Sequence, residues 1–217
     1  MEMCMFSLIK RCLAASLLLI GSLAQAADFK AGVHYDVLDE PVTVLADGKV
    51  HVEEAFWYGC PHCFHLEEKL KPWVASLPAD VEFSRVPAMF GRAWVQHAKL
   101  YYTAEALGVL DKVHESVFRA FHLQKERLLS EDDQRDFLVE NAGISEKDFD
   151  KVYDSFTVKS RMKQGDKRIR SFKISGVPAL IVNGKYIVSA STAGGQDKMT
   201  AVVDHLIEKE RQAVAAN

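Results

Sequence analysis

Ala55-Phe56-Trp57-Tyr58-Gly59-Cys60-Pro61-His62-Cys63-Phe64 is the stretch on which the reading of this chain turns. An apolar, aromatic run ends at a glycine, and two cysteines follow with two residues between them. Beyond them Leu66, Leu70, Trp73 and Leu77 recur at helical spacing. The motif therefore sits where a strand gives way to a helix. A cysteine at a helix N-terminus meets unpaired backbone N–H groups and the positive end of the helix dipole, and both favour its thiolate. A C-x-x-C in this position reads as a redox centre. Zinc would need four ligands, and the chain has no second cysteine pair and no paired-histidine motif near this one. Covalent haem would need His after the second cysteine, where Phe64 stands.

The start of the chain reads as a targeting segment. Lys10 and Arg11 precede an apolar stretch from Leu13 to Leu23, and Ala24-Gln25-Ala26 follows as a cleavage site. The stretch is shorter than the ~20 residues a membrane span requires. Residues 1–26 are expected to be a cleaved signal peptide, which removes Cys4 and Cys12 and leaves Cys60 and Cys63 as the only cysteines of an exported protein. A scaffold held by disulfides would use several widely spaced bridges. One pair closing so short a loop stabilises little, so its purpose is chemical. The formal net charge of −3 gives no global reason to expect nucleic acid or anionic lipid as a partner.

The rest of the chain has no repeat, low-complexity tract or linker. Lys49 to Tyr58 alternates and then turns apolar on both faces, as a central strand does. A helix follows from Phe64 to Leu77, with Pro72 expected to kink or break it. Val81 to Val86 is a second strand. From about Arg92 to Phe172 the pattern is helical. Val113, Val117, Ala120 and Phe121 mark one core face. Ser130 caps a helix that stops at Asn141-Ala142-Gly143, and Ser145 caps another carrying Phe149, Val152, Tyr153 and Phe156. The apolar and aromatic positions of this block are expected in the core. The basic run Lys159, Arg161, Lys163, Lys167, Arg168, Arg170 and Lys173 reads as a solvated helix face. Ala179 to Val182, Asn183-Gly184 and Lys185 to Val188 form a hairpin signal. Asp197 to Ala213 is an amphipathic helix with Met199, Val202, Val203 and Leu206 on one side.

That order points to an α/β thioredoxin fold with an inserted all-helical domain. The thioredoxin-like part is expected over 27–90 and 173–217, the helical insertion over 91–172. Cys60 is expected to be the nucleophile because it lies nearest the helix N-terminus, with Cys63, one turn in, resolving the mixed disulfide.

The chain resembles the DsbA family of bacterial periplasmic thiol–disulfide oxidoreductases. The resemblance rests on the leader, Cys60-Pro61-His62-Cys63, the helical insertion, Gly176-Val177-Pro178-Ala179 and Val182-Asn183-Gly184-Lys185-Tyr186. One departure is Gly59, where some family members carry an aromatic. The resemblance implies a Cys60–Cys63 redox disulfide, a strongly acidic first cysteine, and oxidising power that comes from a stabilised reduced form. It gives His62 a role in holding the Cys60 thiolate and Pro61 one in restricting the loop. It implies a cis Val177–Pro178 peptide facing the cysteines and able to contact an extended substrate. Glu54 becomes a partly buried acid beneath the site, with Arg85 as its partner. The implied partners are reduced or unfolded secreted polypeptides and a quinone-linked membrane oxidase of the DsbB type. The protein is expected to be a monomer needing no nucleotide or metal cofactor. A periplasmic reductase or isomerase, and a non-catalytic polypeptide-binding module, are the competing readings.

Overall fold

The computed structural model describes residues 29–215. The expected signal peptide, with Cys4 and Cys12, lies outside the described residues. The element order is β1 (Asp36–Val37), β2 (Val50–Phe56), α1 (Pro61–Ala75), β3 (Val81–Pro87), α2 (Arg92–Ala106), α3 (Leu110–Arg119), α4 (Glu131–Ala142), α5 (Glu146–Tyr153), α6 (Phe156–Ser171), β4 (Ala179–Val182), β5 (Tyr186–Ser189), α7 (Ala190–Ala193) and α8 (Met199–Ala215). A π-helical turn, Ala120–Gln124, continues α3. The strands form one sheet in the order β1-β5-β4-β2-β3.

β2 lies between neighbours on both sides, parallel to β3 and antiparallel to β4, with Glu54 opposite both Arg85 and Leu180. All seven of its residues are buried, which explains why its sequence loses alternation towards the cysteines. The charged positions inside it are matched. Glu53 takes hydrogen bonds from Arg168 Nε at 2.9 Å and from Arg168 Nη2. The Asn183 side chain accepts the His51 N–H at 2.8 Å.

Side chains alternate across the sheet and feed different cores. Val52, Leu180, Val182 and Val188 face Met199, Val202, Val203 and Leu206 of α8 together with Leu66 and Leu70 of α1. Each such side chain, fully buried, contributes about 1.5–3 kcal/mol, so α8 is held by packing on its apolar stripe. Ala55, Ala179 and Ile181 face Ile169 and Phe172 at the end of α6. A third core joins Phe56, Tyr58 and Cys63 to Leu100, Phe118, Leu138 and Phe149 of the helical block. The block thus packs on the sheet end that carries the cysteines.

The capping signals act as the sequence suggests. Ser130 forms a capping box with Asp133, and Gly143 ends α4 at φ 73°. The Ser145 hydroxyl accepts the Asp148 N–H at 3.1 Å. Asn183 and Gly184 both take positive φ, as a tight hairpin turn requires.

Several expectations need correction. α1 starts at Pro61 and runs unbroken through Pro72 to Ala75. Glu68 and Pro72 both lie on its exposed face, so the carbonyl deprived of an N–H partner is on the solvent side. The helix capped by Ser145 ends at Tyr153, and Phe156 belongs to α6, started by Ser155, whose side chain accepts the Val158 N–H. Phe156 there is 85% exposed and Leu123 of the π turn 56%, so neither is core. The basic face of α6 is also less uniform than expected. Arg161 pairs with Glu105, and Arg168 turns inward to Glu53 and the Thr43 carbonyl.

Candidate active site

Cys60 occupies the N-cap of α1 in an extended conformation, φ −89° and ψ 115°, with Pro61 at the first helical position. Proline suits that place because its missing N–H would have no partner there. The Cys60 Sγ accepts the Cys63 N–H at 3.4 Å. Its thiol donates to the Val177 carbonyl at 3.6 Å. Both cysteines are free thiols in this structure. Cys60 is 7% exposed and Cys63 is 0% exposed.

This geometry separates the two sulfurs chemically. A hydrogen bond from the Cys63 thiol, then the backbone N–H groups of Cys63 and His62 and the charge of His62, hold Cys60 down from 9.0 to about 6, against the cost of partial burial. Burial first, then donation to Cys60 and the nearby Glu54, pushes the Cys63 thiol far above the ordinary range. His62 itself is exposed, and its carbonyl accepts a hydrogen bond from Gln196.

The Val177–Pro178 peptide is cis. The Val177 carbonyl faces Cys60, and a cleft lined by His62, Gly176, Val177, Pro178, Ser189 and Thr192 opens beside it. Gly59 is closed in by Trp57: a Cβ at this position would stand 2.3 Å from the indole ring. That ring is stacked on Trp94 with centroids 4.2 Å apart. A larger residue at 59 therefore requires the indole to leave its stack.

Beneath the cysteines lies a buried charged cluster. Glu54 is 0% exposed. Arg85 Nε donates to Glu54 Oε2 at 3.0 Å, and Arg85 Nη2 donates to both oxygens of Glu67 at 3.1 Å. Two carboxylates sharing one guanidinium cannot both be fully compensated. Burial, then repulsion from Glu67, raises Glu54 to about 8, and Arg85 offsets this only in part. Glu67 is held low despite its burial, by a hydrogen bond from His114 and by the charge and donors of Arg85. The sequence reading located Glu54 and Arg85 but missed Glu67, His114 and Tyr58. A trace was present: Glu67 sits between Leu66 and Leu70 on the buried stripe of α1, and His114 follows Val113 on that of α3.

Residues 66–206 match the DSBA-like thioredoxin domain family. The Pseudomonas aeruginosa thiol:disulfide interchange protein DsbA is 41% identical over 209 residues, covering 96% of this chain and 99% of its own. The chain belongs to the DsbA family. The DsbA of Pseudomonas syringae pv. tomato is 44% identical over 199 residues, 91% of this chain and 92% of that one. The crystal structure of Pseudomonas aeruginosa DsbA superposes with a TM-score of 0.82 at 41% identity, covering 88% of this chain and 98% of that one. The Xylella fastidiosa DsbA structure gives 0.77 at 28% identity, over 82% and 96%. The fold is thus the DSBA-like thioredoxin fold, and the chain is a thiol–disulfide oxidoreductase.

A pH-dependent stability follows from the Cys60 environment. An acid depressed from 9.0 to about 6 on folding adds stability above its unfolded value and loses it as pH falls through the folded one. In reduced protein at pH 7 this contributes about 1 kcal/mol, once discounted for solvent screening near the surface. The disulfide lacks it, but restricting a loop this short in the unfolded chain favours the oxidised form by about 2 kcal/mol. The reduced protein should therefore gain on the oxidised one by about 1 kcal/mol per pH unit between 6 and 9 and overtake it above neutrality. Above pH 9 the Cys60 contribution is complete, and the raised Cys63 thiol makes the reduced protein lose ground again. Urea melts of both forms at pH 5, 7 and 8.5 test this, and a gap independent of pH would exclude it.

Proposed function

We propose that this DsbA-family chain is a periplasmic oxidant that donates a Cys60–Cys63 disulfide to reduced, newly exported polypeptides. A substrate thiolate attacks Cys60 Sγ. A substrate–Cys60 disulfide forms as the Cys60–Cys63 bond breaks, and the electron pair and a proton go to Cys63 Sγ. A second substrate thiolate then attacks the substrate sulfur and expels the Cys60 thiolate, leaving the substrate oxidised and the enzyme a dithiol. The observation that carries this reading is the placement of Cys60 at the N-cap of α1, with its thiolate favoured above about pH 6. A first cysteine that leaves readily as a thiolate is the character of an oxidant.

The other assignments fit the same scheme. Pro61 sets the loop, and His62 adds charge and an N–H at Cys60. Val177 and Pro178 line the cleft where an extended substrate would align. Glu54 and Arg85 shape the field behind Cys63. Residues 27–90 with 173–217 act as the thioredoxin-like unit and 91–172 as its helical insertion. A quinone-linked membrane oxidase of the DsbB type reoxidises the monomer, and the leader over 1–26 directs export.

Oxidation of a dithiol peptide, with the Cys60/Cys63 potential equilibrated against glutathione, tests the direction of transfer. The potential should lie well above thioredoxin's value of about −270 mV. A value near thioredoxin's, with faster disulfide reduction than formation, would instead make the protein a reductase.

A further inference from the structure

The helical block contributes His114 to the buried cluster, and its hydrogen bonds run in only one sense. Tyr58 Oη and His114 Nδ1 are 2.8 Å apart, and His114 Nε2 lies 3.3 Å from Glu67 Oε1. The rings of Phe56, Tyr58 and Phe118 pack around the imidazole, with centroids 5.2–5.3 Å from it. Arg85 Nη2 donates to both Glu67 oxygens, so this carboxylate is an acceptor on the side facing His114. The hydrogen of a neutral His114 ring is therefore on Nε2, pointing at Glu67, and Nδ1 accepts the Tyr58 O–H. Desolvation also disfavours an imidazolium there. Tyr58, His114, Glu67, Arg85 and Glu54 thus form one chain, from the residue two before Cys60 to the acid behind Cys63.

We propose that His114 is a positioning residue: its Nε2–H holds Glu67 as the carboxylate that engages Arg85, and so leaves the cluster's proton on Glu54. The reason is charge balance in a dry site. Arg85 compensates one negative charge well. A neutral donor aimed at one of the two acids decides which of them takes that place. The arrangement matters because Cys63 receives an electron pair whenever the Cys60–Cys63 bond opens. A protonated Glu54 does not oppose that charge, and an ionised one would. The groups facing Glu54 are Glu67, Cys60 and Cys63 from the motif helix and its N-cap, Arg85 from β3, and Tyr58 and Tyr101 nearby. Those facing His114 are Glu67, Arg85, Tyr58 and Tyr101, with Asp111 one turn earlier on α3.

This inference deepens the proposed function and takes from it only Cys60–Cys63 as the redox couple. Its readout needs no turnover, so a protein that failed the potential test could still pass this one. The experiment is carboxyl-carbon NMR titration of Glu54 and Glu67 in the reduced full chain, for the native protein, His114→Gln and His114→Met. Glutamine can donate to Glu67 and accept from Tyr58, so native midpoints are expected. Methionine removes the donor. The Glu54 midpoint should then fall and that of Glu67 rise, each by about one pH unit. General loosening of the core would not move the two in opposite directions. Unchanged midpoints in His114→Met would overturn the proposal. The native protein gives an independent check should His114→Met fail to fold. Nitrogen NMR should find His114 neutral with its hydrogen on Nε2 throughout the Glu54 titration. An imidazolium, or a hydrogen on Nδ1, would refute it.

Discussion

Cys63→Ser protein incubated with a polypeptide disulfide accumulates a covalent enzyme–substrate disulfide, whereas Cys60→Ser protein accumulates none. The thiolate is the attacking species, and only Cys60 is held low enough to supply it near neutral pH. Once the mixed disulfide has formed, release needs a second thiol, and Cys63 at the next turn of α1 provides it. Removing Cys63 leaves the complex without an internal exit. Alkylation of the reduced native protein should show the same inequality. The Cys60 rate should follow a titration centred near 6. At pH 5 about 10% of Cys60 is thiolate, against well under 0.1% of an ordinary thiol. Lower basicity reduces nucleophilicity, so the net advantage over a free cysteine is about 20-fold. Cys63, with no exposed surface, should remain unlabelled in the folded protein. Labelling both residues at similar rates, or a Cys60 midpoint near 8.5, would remove the assignment of roles.

The buried cluster yields a second large effect, with opposite signs at two touching residues. Arg85→Met should destabilise the protein by about 3–5 kcal/mol, the cost of leaving buried carboxylate charge uncompensated. Glu54→Gln should stabilise it. Glu54 is raised to about 8 on folding, from an ordinary 4.5. A group raised in this way contributes most below its unfolded value, and that contribution is lost as pH rises through the folded one. Between pH 4.5 and 8 the native Glu54 is therefore a growing liability. Glutamine keeps the shape and escapes the loss. The gain should be about 1–3 kcal/mol at pH 7 and should vanish as pH falls towards 4.5. Chemical denaturation of the three proteins at pH 4.5, 6 and 8 separates these effects. A Glu54→Gln variant less stable than the native protein at pH 8 would show that the carboxylate is fully compensated by Arg85.

Much of this protein is decided by local sequence. The strand-to-helix junction at Cys60, the capping serines at 130 and 145, and the Asn183-Gly184 turn act through contacts a few residues long. The same is true of the apolar stripe of α8. Each can be read from neighbours along the chain because its physics is local. The closeness of Cys60 and Cys63 and the inequality between them are legible for the same reason: both lie within one helical turn. Local pattern fails where partners come from far along the chain. Nothing near Phe156 says that Ser155 will start a new helix and leave the ring in water. Nothing near Arg168 shows that it will reach Glu53, 115 residues earlier. The charge state beneath the cysteines is the clearest case. Glu54, Tyr58, Glu67, Arg85 and His114 come from β2, the loop after it, α1, β3 and α3, and only the packing of the helical block against the sheet brings them together. Which acid keeps the proton depends on desolvation and on who faces whom within a few ångströms. Both are properties of tertiary structure, so the sequence by itself determined the fold and the placing of two cysteines at a helix start, and the assembled core decided the electrostatics behind them.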